Sequence, residues 1–415
     1  MKILLINPNR YKFPPVPPIG LEHIAGALEE KGHEVAMVDL CFSDSVYEDI
    51  DRAVSEFAPD IAGVTVRNVD TVLYQTNEFF LDEMKEMIGY VKSHHGLRVI
   101  IGGSGVPTNP EGVREYLDAD YAVTGPGEDV VIELLDIIRK HGNANKILRG
   151  RYRFDISCPR RRTGIDYKRY FEHGGVAGFE THKGCSSSCV YCIEANSMVS
   201  FKGVPDVIAE VKSLVDCGYS RFHLCDSEFN EDLDYAVEFC TALKKSGLKI
   251  DWSVYMKPAN YNKKLFRLMK ETGVSLITLT VDSWKKCPLY WADIETMIFH
   301  GRSAGIRTAV DFLTGFPYEG EETLEHYLDL FRRTGPDSVG INTYIRLYHT
   351  LPITNIIVRD VRLRANLTGE VSDKSFVRPV FYNQVSAERL QEIIKHDKLF
   401  RIEGLEKGVN YLRAQ

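Results

Sequence analysis

Hydrophobic and polar positions alternate along this chain in two long series. The first opens with the apolar run KILLIN at 2–7, which reads as a strand buried on both faces. Leu21, Ile24, Ala25 and Leu28 then recur at helical spacing, and Gly32 stands where a helix would stop. Runs at 35–38, 61–66, 99–101 and 121–123 read as four further strands separated by helical stretches. Strands alternating with helices predict a mainly parallel, Rossmann-like sheet over residues 1–145.

Residues 142–175 break this rhythm with Arg149, Arg151, Arg153, Arg160, Arg161 and Arg162. They read as a solvated linker, drawn at 146–175, or as a strap against an acidic partner. A second series fills residues 176–350, with strands expected at 177–182, 221–226, 250–256, 275–282, 308–314 and 339–346. One helix between them is plain: Val207, Ile208, Val211, Leu214 and Val215 share a face, with Pro205 near its start. Six strand–helix repeats predict an α/β partial barrel, whose chemistry gathers at the C-terminal strand ends. Residues 351–415 lose the alternation and read as a small closing segment.

At 415 residues the chain is long enough for two or three cores. Its formal net charge of -7 argues against a general affinity for nucleic acid. No apolar run approaches the ~20 residues that span a bilayer. The opening run is too short for a secretory signal, and Asn7-Pro8 stands where a small-residue cleavage site belongs. The expectation is a cytoplasmic protein with no membrane partner. Nothing in the sequence speaks to oligomeric state.

Nine cysteines are present. Cys41, Cys158, Cys217, Cys225, Cys240 and Cys287 are scattered, and those at 217, 225 and 240 read as core thiols. Cys185, Cys189 and Cys192 cluster in Lys183-Gly-Cys-Ser-Ser-Ser-Cys-Val-Tyr-Cys192, directly after an expected strand. In a large chain of this kind clustered thiols point to metal rather than disulfides. Zinc usually takes a fourth protein ligand and often a second knuckle, which is absent. A [4Fe–4S] cluster normally takes four thiolates, so three leave one iron open.

This C-x3-C-x2-C motif, with Tyr191 before its last cysteine, resembles the radical S-adenosylmethionine (SAM) superfamily. The resemblance implies that the open iron is chelated by SAM, which the cluster cleaves to a 5′-deoxyadenosyl radical. Further segments match in order. Cys225-Asp-Ser-Glu-Phe-Asn230 resembles the segment that places Asp226, Ser227 and Glu228 beside SAM. Thr280-Val-Asp-Ser283 places Asp282 and Ser283 near the ribose or carboxylate. Leu313-Thr-Gly-Phe-Pro317, with Glu321 and Thr323 after it, places Thr314, Gly315 and Phe316 next to adenine. Lys257 follows the third strand and is expected to reach the SAM carboxylate.

The first domain lacks a G-x-G-x-x-G after its first strand, which argues against a dinucleotide. It resembles instead the B12-binding domain, through Pro17-Pro-Ile-Gly-Leu21, Lys31-Gly-His-Glu-Val35, Pro59-Asp-Ile-Ala-Gly-Val64, Ile101-Gly-Gly-Ser-Gly-Val-Pro107 and Asp120-Tyr-Ala-Val-Thr-Gly125. Glycines let backbone approach a bulky ligand. The resemblance assigns Gly102, Gly103, Ser104, Gly105, Gly125, Gly127 and Glu128 to the cobalamin rim. It sets Thr65, Val66, Arg67, Asn68 and Thr71 under the corrin. The Asp-x-His-x-x-Gly motif of cobalt-ligating domains is absent. His23 and His33 read as surface residues, and the lower axial ligand stays open.

The two domains together resemble the cobalamin-dependent radical SAM methyltransferases. That implies methylation of an unactivated carbon through methylcobalamin and the 5′-deoxyadenosyl radical, with an electron donor as partner. Tyr344, Arg346 and Tyr348 are expected to face the shared cavity. The compact form resembles the enzymes that methylate a glutamine of methyl-coenzyme M reductase, which implies a protein or peptide substrate, the alpha subunit. Two alternatives stand: a radical SAM cyclase or other reaction class with a purely structural first domain, and a non-enzymatic corrinoid or iron–sulfur sensor.

Overall fold

The computed structural model describes residues 1–151, 164–368, 376–405 and 408–413. The first unit runs β1 (Lys2–Asn7), α1 (Ile19–Glu30), β2 (Glu34–Asp39), α2 (Val46–Phe57), β3 (Ile61–Thr65), α3 (Leu81–His95), β4 (Val99–Gly102), α4 (Pro110–Tyr116), β5 (Tyr121–Thr124), α5 (Glu128–His141) and β6 (Ile147–Arg149). All six strands are parallel, in the order β2-β1-β3-β4-β5-β6. The continuous apolar run of β1 has its reason in this layering. Leu4 and Ile6 pack into the core on one face of the sheet, and Ile3 and Leu5 into the core on the other.

A short connection with α6 (Tyr167–Glu172) leads to the second unit. Its elements are β7 (Ala177–Phe179), β8 (His182–Lys183), β9 (Ser200–Phe201), α7 (Val204–Asp216), β10 (Arg221–Leu224), α8 (Leu233–Ser246), β11 (Asp251–Met256), α9 (Lys263–Glu271) and β12 (Val274–Asp282). They continue with α10 (Pro288–Ala304), β13 (Arg307–Leu313), α11 (Glu321–Thr334), β14 (Ser338–Asn342) and β15 (Tyr344–Arg346). The closing segment holds α12 (Pro352–Arg359), α13 (Val361–Arg364), β16 (Leu367–Thr368), β17 (Phe381–Asn383), α14 (Ala387–Ile394) and β18 (Phe400–Ile402). The large sheet is parallel, in the order β7-β10-β11-β12-β13-β14-β18. In α7 the expected face is buried, with Val207, Val211 and Leu214 inaccessible to solvent.

Several expectations need correction. The first sheet gains β6, two residues beyond the boundary drawn at 145, and α6 lies inside the stretch read as linker. The three residues of β6 are too few to show a period. The strand expected at 177–182 stops at Phe179, and β8 turns off to pair antiparallel with β9. The strand expected at 339–346 breaks at Thr343 into β14 and β15. The closing segment is part of the barrel, because β18 pairs with β14 as a seventh strand. Of the arginines read as linker, those at 153, 160, 161 and 162 lie outside the described residues, as does Cys158.

Parallel strands send their C-terminal loops to one side, and here the two sheets turn those sides toward each other. Asp70, after β3, forms a buried ion pair with Arg346 at 2.8 Å. Glu128, at the start of α5, pairs with Lys183 at the end of β8. Tyr74 stacks on Tyr344 at 4.2 Å and 5°. No helix among the described residues is long and apolar enough to cross a membrane.

Candidate active site

The cysteines lie on the loop between β8 and β9, closed on itself by backbone hydrogen bonds. Ser197 N donates to Cys185 O at 3.0 Å, Asn196 N to Ser187 O at 2.8 Å and Cys192 N to Cys189 O at 3.2 Å. Cys185 is buried, and Cys189 and Cys192 are half-buried. Burial pushes all three thiols up, Cys185 to about 12. A cationic cluster reverses that cost, since iron binds thiolate rather than thiol. Lys285 Nζ stands 3.9 Å from Cys189 Sγ. Among the described residues no three His, Cys, Asp or Glu side chains converge as ligands of a single ion. A four-iron cube takes each thiolate on a different iron, and the three thiols on one folded loop fit that demand.

Around this loop stand the strand ends. Tyr191 OH donates to Asp282 Oδ2 at 3.2 Å, and its ring meets Phe316 at 5.4 Å. Asp282 also pairs with Lys285 at 3.4 Å. Ser283 Oγ donates to Glu319 Oε2 at 2.8 Å, and the same oxygen accepts from the backbone of Gly315 and Phe316 at 3.0 and 2.9 Å. Thr314 touches Ser283 at 3.0 Å. The carboxylate that holds this turn is Glu319, which sequence reasoning missed. Glu321, singled out instead, sits on the surface against Arg389. Only the fold tells the two apart.

Lys257 pairs with Glu231 at 2.9 Å, and Glu231 accepts from Ser186 N and Oγ at 3.2 and 2.5 Å. Glu231 is a second missed residue. It ties the cysteine loop to the third barrel strand end. Glu228 accepts from Thr280 Oγ1 at 2.5 Å while its Oε2 is buried without a partner. Burial pushes this carboxyl up to about 8, against the pull of the Thr280 hydroxyl. Ser227 donates to Glu194. Asp226 accepts from Thr181 N at 2.7 Å and from the Thr181 hydroxyl, and pairs with His182 at 3.2 Å. Its carboxylate is occupied under the cysteine loop.

On the first domain the loops after β3 and β4 lie against each other. Gly103 has φ +105, and a Cβ there would fall 2.7 Å from Val66 O. At Gly105 it would fall 2.9 Å from the same oxygen, and Ser104 Oγ donates to Arg67 O at 2.6 Å. These glycines are therefore required first by loop–loop contact. Gly102 has ordinary room. Gly125, at φ +71, abuts Gly150 O, and Gly127 abuts Ile24. Gly103, Ser104 and Gly125 remain exposed, leaving a rim poor in side chains that suits a bulky ligand. Thr65, Arg67, Asn68 and Thr71 are half-buried on the adjoining loop, with Val66 beneath.

Between the rims lies the barrel lumen. His223 meets Ser253 Oγ at 2.9 Å and Tyr255 edge-on at 5.5 Å, and burial pushes it down to about 4. Asp311 keeps 37% of its side-chain surface although protein surrounds it. It accepts from Asn410 at 2.7 Å, and burial followed by the charge of Glu403 pushes it up to about 6. Cys225 is exposed here, not a core thiol, and Cys217 is exposed at the end of α7. Only Cys240 of that trio is buried. Arg346 does not face the lumen. It donates to Asp70 and to the carbonyls of Leu347, Phe376 and Val377, and it covers the Tyr348 ring. Tyr344 is spent on Tyr74. His23 is not a surface residue but is 1% exposed, because α1 turns it toward the barrel. His33 is half-buried.

Known proteins share this arrangement. Residues 14–135 match the B12 binding domain and residues 179–331 the radical SAM superfamily. The tryptophan 2-C-methyltransferase of Streptomyces laurentii is 24% identical over 83% of this chain and 72% of that protein. An uncharacterized methyltransferase of Pyrococcus horikoshii is 25% identical over 78% and 76%. The structure of TsrM, a radical SAM methyltransferase from Kitasatospora setae with cobalamin and a [4Fe–4S] cluster bound, superposes with a TM-score of 0.82 at 25% identity, over 92% of this chain and 87% of that one. With tryptophan and a SAM analogue bound, the TM-score is 0.83. With a B12-binding domain followed by a radical SAM domain, this chain is an enzyme with the domain order and fold of the cobalamin-dependent radical SAM methyltransferases.

Proposed function

We propose that the enzyme transfers a methyl group from cobalamin to a carbon of a small polar acceptor held in the barrel lumen. The observation that carries this reading is the meeting of the two rims. Glu128, beside Gly127, reaches Lys183, two residues before the first cysteine. When bound, the cluster with SAM supplies one-electron chemistry and cobalamin supplies the methyl group. Cys185, Cys189 and Cys192 hold the iron. Tyr191, Ser283, Thr314, Gly315 and Phe316 wall the adenosyl side of SAM, and Ser227, Glu228, Lys257 and Asp282 form its polar surround, with Asp226 bracing the cysteine loop from below. Thr65, Val66, Arg67, Asn68, Thr71, Gly102, Gly103, Ser104, Gly105, Gly125, Gly127 and Glu128 form the seat for cobalamin. The walls exclude water, which keeps a reactive carbon centre from being quenched.

A polar acceptor suits a lumen that carries His223, Ser253, Tyr255 and Asp311. The relative from Streptomyces laurentii acts on tryptophan, which favours an amino-acid-sized molecule. A glutamine of methyl-coenzyme M reductase is the narrower reading suggested by the compact architecture. The test is anaerobic reconstitution with iron, sulfide and hydroxocobalamin, then incubation with methyl-labelled SAM, a reductant and either free amino acids or a glutamine peptide. Retained cobalamin and label in a carbon of a free amino acid are expected. A reconstituted enzyme that cleaves SAM but transfers no label to carbon would sink the methyltransferase reading. Label in the peptide alone would overturn the small-acceptor assignment.

A further inference from the structure

The cysteine loop hangs from the two-stranded ribbon β8–β9, in which His182 pairs with Phe201 and Lys183 with Ser200. Both legs of this ribbon are gripped by charged groups, some of them from the other domain. On the first leg Lys183 Nζ meets Glu128 of α5, and Glu180 at 3.7 Å. On the second, Lys202 Nζ meets Glu180 at 2.9 Å, Glu210 at 3.9 Å and His23 Nε2 of α1 at 3.3 Å. His23 stands 3.9 Å from Glu180 and 3.7 Å from Glu210. The Tyr235 hydroxyl donates to the carbonyls of Lys202 and Thr181, tying the backbones of the legs.

The side chains of His23 and Lys202 are each 2% exposed, those of Glu210 and Glu128 6% and 7%. Three carboxylates, two ammonium groups and an imidazole thus form one connected, largely dry set. Burial works against ionisation of Glu180, yet Lys202, Lys183 and His23 outweigh it and hold its carboxyl well below the usual range. Buried charges are costly unless each keeps its partners, so removing one member disturbs the rest. The barrel secures the loop by itself through Asp226 and Glu231. The grip on Lys183 and Lys202 is supplied in part by the first domain.

We propose that His23 and Glu128 are positioning residues through which the B12-binding domain steadies the cysteine loop, so that the state of the cobalamin rim is felt at the cluster. The idea rests on the reading that Cys185, Cys189 and Cys192 hold the cluster. Glu128 stands next to rim residue Gly127 and touches the residue two before Cys185. By linkage, whatever tightens the rim makes opening of the loop less favourable, and the reverse.

The experiment compares wild type, E128Q, E128D and H23Q with D82N, which weakens the exposed interdomain pair of Asp82 and Arg378 and the adjoining Tyr116 contact, away from the cysteine loop. Amide hydrogen exchange over residues 184–199 is followed in the full chain before and after reconstitution, together with iron release to a chelator. E128Q and H23Q are expected to speed exchange in this loop by about tenfold or more. Iron release should rise in parallel, E128D should restore most of the protection, and D82N should match wild type. Wild-type exchange in both E128Q and H23Q, or equal acceleration in D82N, would overturn the proposal. A wild type that takes up no cluster would instead remove the functional reading, while the exchange data on the iron-free chain still decide whether the first domain steadies the loop. Should E128Q fail to fold, H23Q decides alone.

Discussion

The two rims of the cleft are built from opposite materials. On the first domain the rim is largely glycine backbone: Gly103 and Gly105 crowd Val66 and Gly125 crowds Gly150. On the barrel the rim is charged side chains already paired, Lys257 with Glu231, Lys285 with Asp282, and Glu319 with Ser283 and two backbone N–H groups. A bare backbone rim selects by shape and close approach, which suits a broad macrocycle. A rim of paired charges selects by exchanging partners, which suits a small charged molecule such as SAM. The same C-terminal strand ends thus serve two kinds of recognition.

Substitutions should separate these modes. The largest effect falls on the barrel side. Replacing Cys185, Cys189 and Cys192 by alanine should abolish cluster absorbance and methyl transfer while cobalamin is still retained. Simultaneous loss of cobalamin would show that the rims are not separable. Next is the seam that holds them together. Arg346→Met leaves Asp70 buried without its partner and should lower unfolding free energy by ~3–5 kcal/mol, read by chemical denaturation. A loss below about 1 kcal/mol would mean that the pair is worth no more than a surface contact.

Gly103→Val tests the shape-selecting rim. A side chain at φ +105 strikes Val66 O, so we expect a cost of about 1–3 kcal/mol and weakened cobalamin retention with the cluster spectrum unchanged. Glu319→Gln tests the charge-selecting rim. Replacing the carboxylate by a neutral amide weakens the charge-assisted hydrogen bonds from Gly315 and Phe316 and should raise KM for SAM by about tenfold, for ~1–2 kcal/mol, leaving cobalamin binding intact. The smallest effect concerns the lumen. His223 is held at about 4 by burial. Between its ordinary value near 6.5 and that value the unfolded chain binds a proton that the native state refuses, so stability falls as pH falls through this window. His223→Asn should flatten that part of the pH–stability profile of the iron-free protein. An unchanged slope would place the imidazole in water.

Much of this was legible before any coordinates. The C-x3-C-x2-C spacing, the parallel alternation of both halves and the order of the strand-end motifs are local in sequence, and local patterns survive folding. Glu319 and Glu231 were not legible, because acidic residues one or two positions past a motif look like any others until a turn aims one of them inward. His23 was misjudged for the same reason. Its neighbours on α1 pack against the first sheet, and its burial depends on Lys202 and Glu210, roughly 180 residues later. Asp226 matched a SAM-side motif, yet its carboxylate is occupied by Thr181 and His182.

Sequence by itself determined the two α/β domains and the spacing of the three clustered cysteines, since periodicity and spacing are properties of a few consecutive turns. Tertiary structure alone decided which charged groups meet. Asp70 finds Arg346 and Glu128 finds Lys183 only after two sheets have turned the same ends of their strands toward each other. The free energy of a buried charge depends on the partner brought to it, and that partner is chosen by the fold of the other domain.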